Sequence, residues 1–301
     1  MSETTRERSA TSVLTAESLR PERKHAILRR FLENRLAVAG MVVVVLFYLI
    51  AIIAPLIQRY PPDRIQAGAR DLAPSAQHWL GTDRNGRDVY SRLLNGGRVS
   101  LAVGFTAVAI IMTIGTTLGA VSGYFGHWVD GLIMRFTDIL LSIPQILLLI
   151  SAAALFNAGI LTTIVVIGVT SWPGCARLVR GQFLALKDQE YVTAARTIGA
   201  KPWQIIWRHL LPNSLAVIIV EATLWLSFAI ILEASLSYLG LGVQIPTPSW
   251  GNMLQDGQHE LLVGAWWLTV FPGMAIFLVV MAFNLMGDGL RDAFDPRLRR
   301  R

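Results

Sequence analysis

Carboxylic acids within long apolar runs are the side chains of this sequence best placed to do chemistry. Asp138, Glu221 and Glu233 each have apolar residues on both sides. A charge inside a bilayer costs roughly a few kcal/mol or more, so each such group needs a polar neighbour or a function. Glu233 is the deepest and is followed by Ser235 and Ser237. Glu233 and Ser237 could line a path for protons or substrate, or Glu233 could be a hydrogen-bonded packing carboxyl. The sequence leaves both alternatives open.

Other combinations of reactive side chains give weak signals. His259-Glu260 begins like a zinc-protease motif, but no second histidine follows at the required spacing. The pattern G-x-x-x-x-G-K-[ST] does not occur, so the sequence offers no phosphate-binding loop of that kind. We therefore expect no catalytic residue, no metal site and no cofactor in this chain. An intramembrane enzyme is the weakest of the alternatives.

The composition indicates a membrane protein. The sequence is 53% hydrophobic and 16% charged, whereas an ordinary soluble domain has about 25% charged residues. The formal net charge of +7 could indicate a nucleic-acid partner. The basic residues lie beside apolar runs, however, and membrane orientation explains that placement better. We predict an all-α membrane protein with lipid as its surroundings and no nucleic acid as a partner.

Apolar runs of near-spanning length divide the chain, because a bilayer core requires about 20 residues of helix. Six runs are found, at approximately 36–57, 99–121, 132–156, 160–175, 215–239 and 264–286. They predict four regions, listed here in chain order. These are a tail with a basic amphipathic helix (1–35), a first span with an external polar segment (36–97), a transmembrane core that contains the loop 187–213 (98–287) and a basic tail (288–301). The function of the polar segment 58–97 stays open.

The basic residues also orient the spans. About 19 of the 27 lysines and arginines lie in the two tails and in or beside the loop between the fourth and fifth spans. The positive-inside rule makes these three regions cytoplasmic. The segment 58–97 goes against the rule, since it contains about six arginines. We expect both termini and the loop 187–213 on the cytoplasmic side.

The loop between the fourth and fifth spans reads as two short helices joined by a break. Apolar residues recur at helical spacing in each half; they are Tyr191, Ala194, Ala195 and Ile198, then Trp203, Ile206, Trp207 and Leu210. Gly199 suits a left-handed helix end and should set the angle between the halves. Pro202 suits a first helical turn, and Pro212 with Asn213 should end the second helix. The pattern indicates either an ordinary loop or a docking element for a partner at the membrane surface.

The run Glu190-Tyr191-Val192-Thr193-Ala194-Ala195-Arg196, with Gly199 behind it, resembles the EAA loop of permease subunits in bacterial ABC importers. Thr193 stands where the core triplet of that family has glutamate, although Glu190 keeps an acid nearby. The resemblance implies that this loop is a coupling helix seated in a groove of an ATPase subunit. It implies coupling roles for Glu190, Tyr191, Ala194, Ala195, Gly199, Ala200 and Pro202.

Three further stretches resemble the peptide/nickel branch of these permeases. They are HWLGTDRNGRDVYSRLLNGGRVSL, EASLSYLGLGVQIPTPSWGNML and FPGMAIFLVVMAFNLMGDGLRDAFDPR. The resemblance covers about residues 22–297. It implies a type I ABC importer permease fold with six transmembrane helices, in a bacterial inner membrane. It also implies di- or oligopeptides as substrate, with nickel, glutathione or opines as alternatives.

The same resemblance implies the partners. These are a homologous second permease subunit, two ATPase subunits that bind ATP and Mg²⁺, and an extracytoplasmic substrate-binding protein. A proton-coupled secondary transporter that uses Glu233 as proton carrier is a remote alternative. It lacks support because no internal repeat of broken helices is visible in the sequence. The exact substrate, the peptide length and the residues that line the path are not determined by the sequence.

Overall fold

The computed structural model of the protein describes residues 27–294. Of the predicted tails, 1–35 and 288–301, residues 1–26 and 295–301 lie outside the described residues, and residues 27–33 of the predicted N-terminal helix are helical. Within residues 27–294 the chain is helical and its helices are numbered here in order. They are α1 Arg35–Ile57, α2 Val89–Phe125, α3 His127–Ser142, α4 Gln145–Ala154, α5 Ile160–Thr170, α6 Trp172–Leu186, α7 Glu190–Thr197, α8 Pro202–Ile205, α9 Leu211–Tyr238, α10 Trp250–Glu260 and α11 Trp267–Phe294.

The predicted six-span, all-α fold is confirmed in outline. Five helical segments between residues 27 and 294 are long and apolar enough to cross a membrane, and α3 with α4 makes a sixth when counted as one span. The fourth span is longer than predicted, because α5 and α6 together run from Ile160 to Leu186. The last span is also longer, because α11 continues to Phe294.

The third span, predicted as one run, is broken at Pro144. Helix α3 ends at Ser142, α4 begins at Gln145, and the two axes differ by 89°. Proline has no N–H for the helix ladder, and it disfavours helical backbone at the residue before it. Ile143 accordingly has extended backbone, with φ −94° and ψ 128°. The bend is therefore a local consequence of this one proline.

The prediction that Pro212 and Asn213 end the second loop helix is wrong. A π turn at Ile206–Leu210 joins α8 directly to α9, and the helical rod runs from Pro202 to Tyr238. Pro212 lies in the first turn of α9. The wider π turn gives the proline ring room beside the preceding carbonyl groups. The loop is thus rigidly continuous with the fifth span.

Helix α2 packs closely against α6, because glycines at four-residue spacing, Gly115, Gly119 and Gly123, let the two backbones approach each other. A Cβ atom on Gly115 would lie 2.6 Å from the Cβ of Cys175, and one on Gly123 would lie 2.7 Å from the Cβ of Phe183. Contacts advance in the same direction along both helices, so α2 and α6 run parallel here. Their last residues, Phe125 and Leu186, therefore lie at one end of the bundle, called below the coupling-loop end.

Both ends of the described chain lie at this same end. Gly289, near the end of α11, packs on Ala37 at the start of α1. Phe31 and Ala293 belong to one buried cluster with Ala37. This proximity agrees with the expectation that the tails and the loop share one side. Which side of the membrane that is stays a prediction.

The polar segment between α1 and α2 is tied to α10 at the opposite end of the bundle. Arg87 Nε donates to Asp83 Oδ2 at 2.6 Å, and Arg87 Nη2 donates to Asp256 Oδ2 at 2.8 Å. The side chains of Arg87, Asp83 and Arg92 are almost completely buried around this pair. Paired buried charges hold a defined geometry, because separating them would leave an uncompensated charge. The segment 58–97 contains more arginines than the positive-inside rule predicts, and two of them, Arg87 and Arg92, thus have a structural role.

Candidate functional site

The loop at the coupling-loop end folds into two short helices around a left-handed residue. Gly199 has φ +85°. The Ala200 N–H donates to the Ala195 carbonyl at 3.0 Å, and the Gly199 N–H donates to the Arg196 carbonyl at 3.0 Å. These two bonds form a Schellman motif that closes α7. Pro202 lies in the first turn of α8, as the sequence predicts. The angle between α7 and α8 is therefore set at Gly199–Ala200.

One side of the loop is anchored in the core of the bundle. Val192 and Leu210 are completely buried, and Ile205 and Ile206 are nearly so. These four belong to the largest hydrophobic cluster, together with Phe183 of α6. Burying an aliphatic side chain of this size contributes about 1.5–3 kcal/mol. The loop is therefore held against the spans rather than hanging from them.

The other side of the loop is exposed and apolar. Tyr191 is 40% exposed, Ile198 85%, Trp203 60% and Trp207 52%. The two indole rings stand edge to face with centroids 5.5 Å apart. Ala194 is exposed between the larger side chains, and Glu190 is exposed in the first turn of α7. The result is a patch of rigid aromatic and aliphatic groups, called here the aromatic face.

Each apolar stripe predicted from the sequence is divided between these two sides. Ala195, Ile206 and Leu210 face inward, whereas the remaining stripe residues face outward. A stripe at i, i+3, i+4, i+7 spans more than 100° of the helix surface, so its two edges can face different surroundings. Sequence reasoning missed Val192 as an anchor, because it lies outside the stripe. The only sequence feature that could have indicated its role is that Val192 has an aliphatic side chain and lies next to the stripe.

Polar contacts link the loop to the ends of α2 and α3. The Arg196 guanidinium lies over the Tyr124 ring, 5.7 Å from its centroid. Asp130 in the first turn of α3 accepts from Arg180 Nε and Nη2 at 2.5 and 2.6 Å. A cavity of about 420 Å³ lies between these elements, and its lining includes His127, Asp130 and Arg196. A displacement of the loop would therefore reach α2 directly through Arg196, whereas the contact with α3 runs through Arg180 of α6.

Glu233 and Ser237, the candidate path residues, lie together inside the protein. Glu233 is completely buried, and Ser237 Oγ donates to its Oε1 at 2.8 Å. The hydroxyls of Ser100 and Ser249 also face this carboxyl group. The Ser237 hydroxyl in turn accepts from the Val243 N–H at 3.0 Å. This geometry favours the packing alternative, in which Glu233 joins α9 to α2 and to the start of α10.

We expect Glu233→Gln to retain at least half of wild-type substrate uptake, because the amide keeps a hydrogen-bonding group beside Ser237. Glu233→Leu should instead lower the thermal stability of the subunit, since unsatisfied buried hydroxyls cost about 1–3 kcal/mol each. Uptake into proteoliposomes and thermal unfolding in detergent measure the two effects. Loss of uptake in Glu233→Gln with normal stability would support a proton carrier and contradict the packing role.

The described part of the chain is a bundle of helices long and apolar enough to cross a membrane, with a rigid, exposed helical loop at one end. Residues 115–300 match the family described as binding-protein-dependent transport system inner membrane component. Residues 25–74 match the N-terminal transmembrane domain of oligopeptide transport permease C. The chain belongs to the binding-protein-dependent transport system inner membrane component family. It is therefore a multi-pass permease of a bacterial ABC importer of the inner membrane.

Named relatives and solved structures are similar over most of the chain. The dipeptide transport system permease protein of Alkalihalophilus pseudofirmus is 45% identical over 267 residues, covering 89% of this chain and 88% of that protein. The glutathione transport system permease protein of Pectobacterium atrosepticum is 45% identical over 277 residues, covering 90% of each. The inward-facing MetNI methionine ABC transporter matches with a TM-score of 0.55 and 22% identity, over 68% of this chain and 97% of that one. That likeness supports the type I importer permease fold.

Proposed function

We propose that this chain is the second of two homologous membrane subunits of an ATP-driven importer of di- and oligopeptides. The observation that carries the proposal is the aromatic face, a rigid apolar surface anchored by Val192, Ile206 and Leu210. Relatives named as dipeptide and oligopeptide permeases support the substrate class; the oligopeptide transport system permease protein of Bacillus subtilis is 43% identical over 277 residues.

In this proposal two ATPase subunits hold ATP and Mg²⁺, and this chain itself needs no cofactor. The coupling loop inserts its aromatic face into a groove of one ATPase subunit. Closure of the ATPases upon ATP binding moves the loop, and the continuous rod from Pro202 to Tyr238 transmits that motion into the fifth span. The coupling residues are Glu190, Tyr191, Ala194, Ala195, Gly199, Ala200 and Pro202. The path then opens alternately to either side of the membrane.

An extracytoplasmic binding protein delivers the peptide in this mechanism. Both termini and the coupling loop then face the cytoplasm, where the ATPases are. Glutathione import is the second candidate, because a relative that transports glutathione by name is also 45% identical. Nickel and opines are weaker alternatives.

The test is ATPase activity of the complete complex in liposomes, with the binding protein and a panel of dipeptides, longer peptides, glutathione and nickel. Stimulation by peptides is the expected result, and the peptide that stimulates most defines the length class. Stimulation by nickel or glutathione alone would keep the mechanism and replace the substrate. A subunit that assembles with no ATPase would overturn the proposal and favour the proton-coupled alternative.

A further inference from the structure

An ion pair lies exposed on the membrane-crossing part of the chain. Arg177 Nη2 of α6 donates to Asp138 Oδ1 of α3 at 2.7 Å, and the two side chains are 54% and 64% exposed. Asp138 is 11 residues from the start of α3 and Arg177 is nine residues from the end of α6. At about 1.5 Å per residue, both lie about 15 Å from the coupling-loop end. Both residues lie inside segments that are long and apolar enough to cross a membrane, which are α3 with α4 counted as one span and Ile160–Leu186.

Charged groups within membrane-crossing segments do not face lipid, because exposure to hydrocarbon costs roughly a few kcal/mol or more. Such residues face a water-filled space or a polar partner. The pair therefore indicates that this surface faces water or a polar partner, and this inference does not depend on comparison with similar proteins. The charges of Asp138 and Arg177 compensate each other when no ligand is bound at this surface.

The pair belongs to a longer polar stripe along α3. Every member of the stripe is exposed, and the spacing of 4, 4, 3 and 4 residues places all of them on one side of the helix; they are His127, Gly131, Arg135, Asp138 and Ser142. A separate exposed stripe of the same helix is apolar and contains Leu132, Phe136 and Ile139. Helix α3 thus has a polar exposed surface and an apolar exposed surface next to each other.

The polar stripe is continuous with water at the coupling-loop end. His127, its first residue, lines the cavity of about 420 Å³ beside Arg196. On α6 the exposed side around Arg177 continues with Gly181 and Ala185. A Cβ atom on Gly181 would meet no other group within 4 Å, so this side of α6 is open. Charge, small side chains and open space therefore coincide along the exposed sides of α3 and α6.

We propose that the polar stripe of α3 and the facing side of α6 form a wall of the translocation path, and that Asp138 and Arg177 bind the charged termini of a peptide in transit. A zwitterionic peptide offers an ammonium group to Asp138 and a carboxylate to Arg177. Guanidinium binds carboxylate with two parallel hydrogen bonds. When Asp138 and Arg177 separate, the peptide ammonium takes the place of Arg177 and the peptide carboxylate takes the place of Asp138. Neither side-chain charge is then left uncompensated.

The wall is tested by cysteine labelling of the complete complex in nanodiscs with a charged thiosulfonate reagent. Gly131→Cys and Ser142→Cys on the polar stripe should react at least tenfold faster than Leu132→Cys and Ile139→Cys on the apolar stripe. Gly131 has space for a side chain, and the one native cysteine, Cys175, is buried, so the unsubstituted complex reports the background. Equal or slower reaction at the polar stripe would overturn the proposal. This measurement does not depend on the substrate.

The role of the pair rests on the proposed peptide substrate and is tested separately. Asp138→Asn, Arg177→Gln and the double variant should each reduce uptake of a zwitterionic dipeptide at least tenfold, measured below saturation, while the complex assembles at wild-type yield. The double variant keeps two hydrogen-bonding groups and leaves no uncompensated charge. A merely structural pair would therefore be restored in it, and wild-type uptake by the double variant would overturn the binding role. Failure of the wild-type complex to transport any peptide would refute the proposed function instead and leave the labelling result standing.

Discussion

Gly199→Val is expected to abolish substrate uptake while the subunit remains in the membrane at its normal level. Gly199 has φ +85°, a left-handed conformation that a β-branched residue strongly disfavours. The left-handed region costs an ordinary residue about 1–2 kcal/mol. A Cβ atom at this position would meet nothing within 4 Å, so the effect is conformational and does not come from crowding. The Schellman bonds to Ala195 and Arg196 would be lost, and α7 would change its angle to α8.

Gly199→Asn is the matched control, because asparagine enters the left-handed region more readily than other non-glycine residues. It should retain most of the uptake, and Gly199→Ala should fall between the two. Uptake into proteoliposomes that contain the complete complex measures the effect, with the subunit quantified by immunoblot. Normal uptake by Gly199→Val would refute a role of Gly199 in setting the loop geometry.

Replacing both exposed tryptophans of the aromatic face by glutamate should prevent stable association with the ATPase subunits. Trp203 and Trp207 are 60% and 52% exposed and pack edge to face on each other. Removing a tryptophan side chain that is buried at an interface commonly costs about 2 kcal/mol or more of binding free energy. A carboxylate placed in that groove would also have to be desolvated without a partner. We expect at least a tenfold loss of ATPase binding by the double variant.

The variant subunit should still fold, because the anchors Val192, Ile206 and Leu210 are unchanged on the buried side. Replacing both tryptophans by phenylalanine is the matched control, since it keeps the aromatic face apolar and adds no charge. Co-purification of the ATPases with tagged permease measures the effect. A stoichiometric complex with both tryptophans replaced would show that the ATPases bind elsewhere.

The number of spans and the two-helix form of the coupling loop could be predicted from the sequence alone. Both depend on local properties, namely the length of an apolar run and the spacing of apolar residues along a helix. The left-handed turn at Gly199 was predictable for the same reason, because only backbone sterics decide it. The break at Pro144 was within reach of the same reasoning, since proline acts on its immediate neighbours.

The orientation of each side chain could not be predicted in this way. Ala195 and Ala194 are adjacent and chemically identical, yet one packs inward and the other is exposed. Glu233 reads as a possible path residue, but its carboxyl lies among hydroxyls contributed by α2, α9 and the start of α10. Asp138 reads as an isolated charge, but Arg177 pairs with it across 39 positions of the sequence.

The sequence by itself therefore determined the class of protein, its spans and the place of the two-helix loop between the fourth and fifth spans. Only the tertiary structure decided which side of the loop is anchored, which carboxyl is buried and which ion pair forms between the exposed sides of α3 and α6. The physical reason is that helix formation depends on neighbours in the chain. Burial and pairing depend on which helices pack together, and that packing joins residues that lie far apart in sequence.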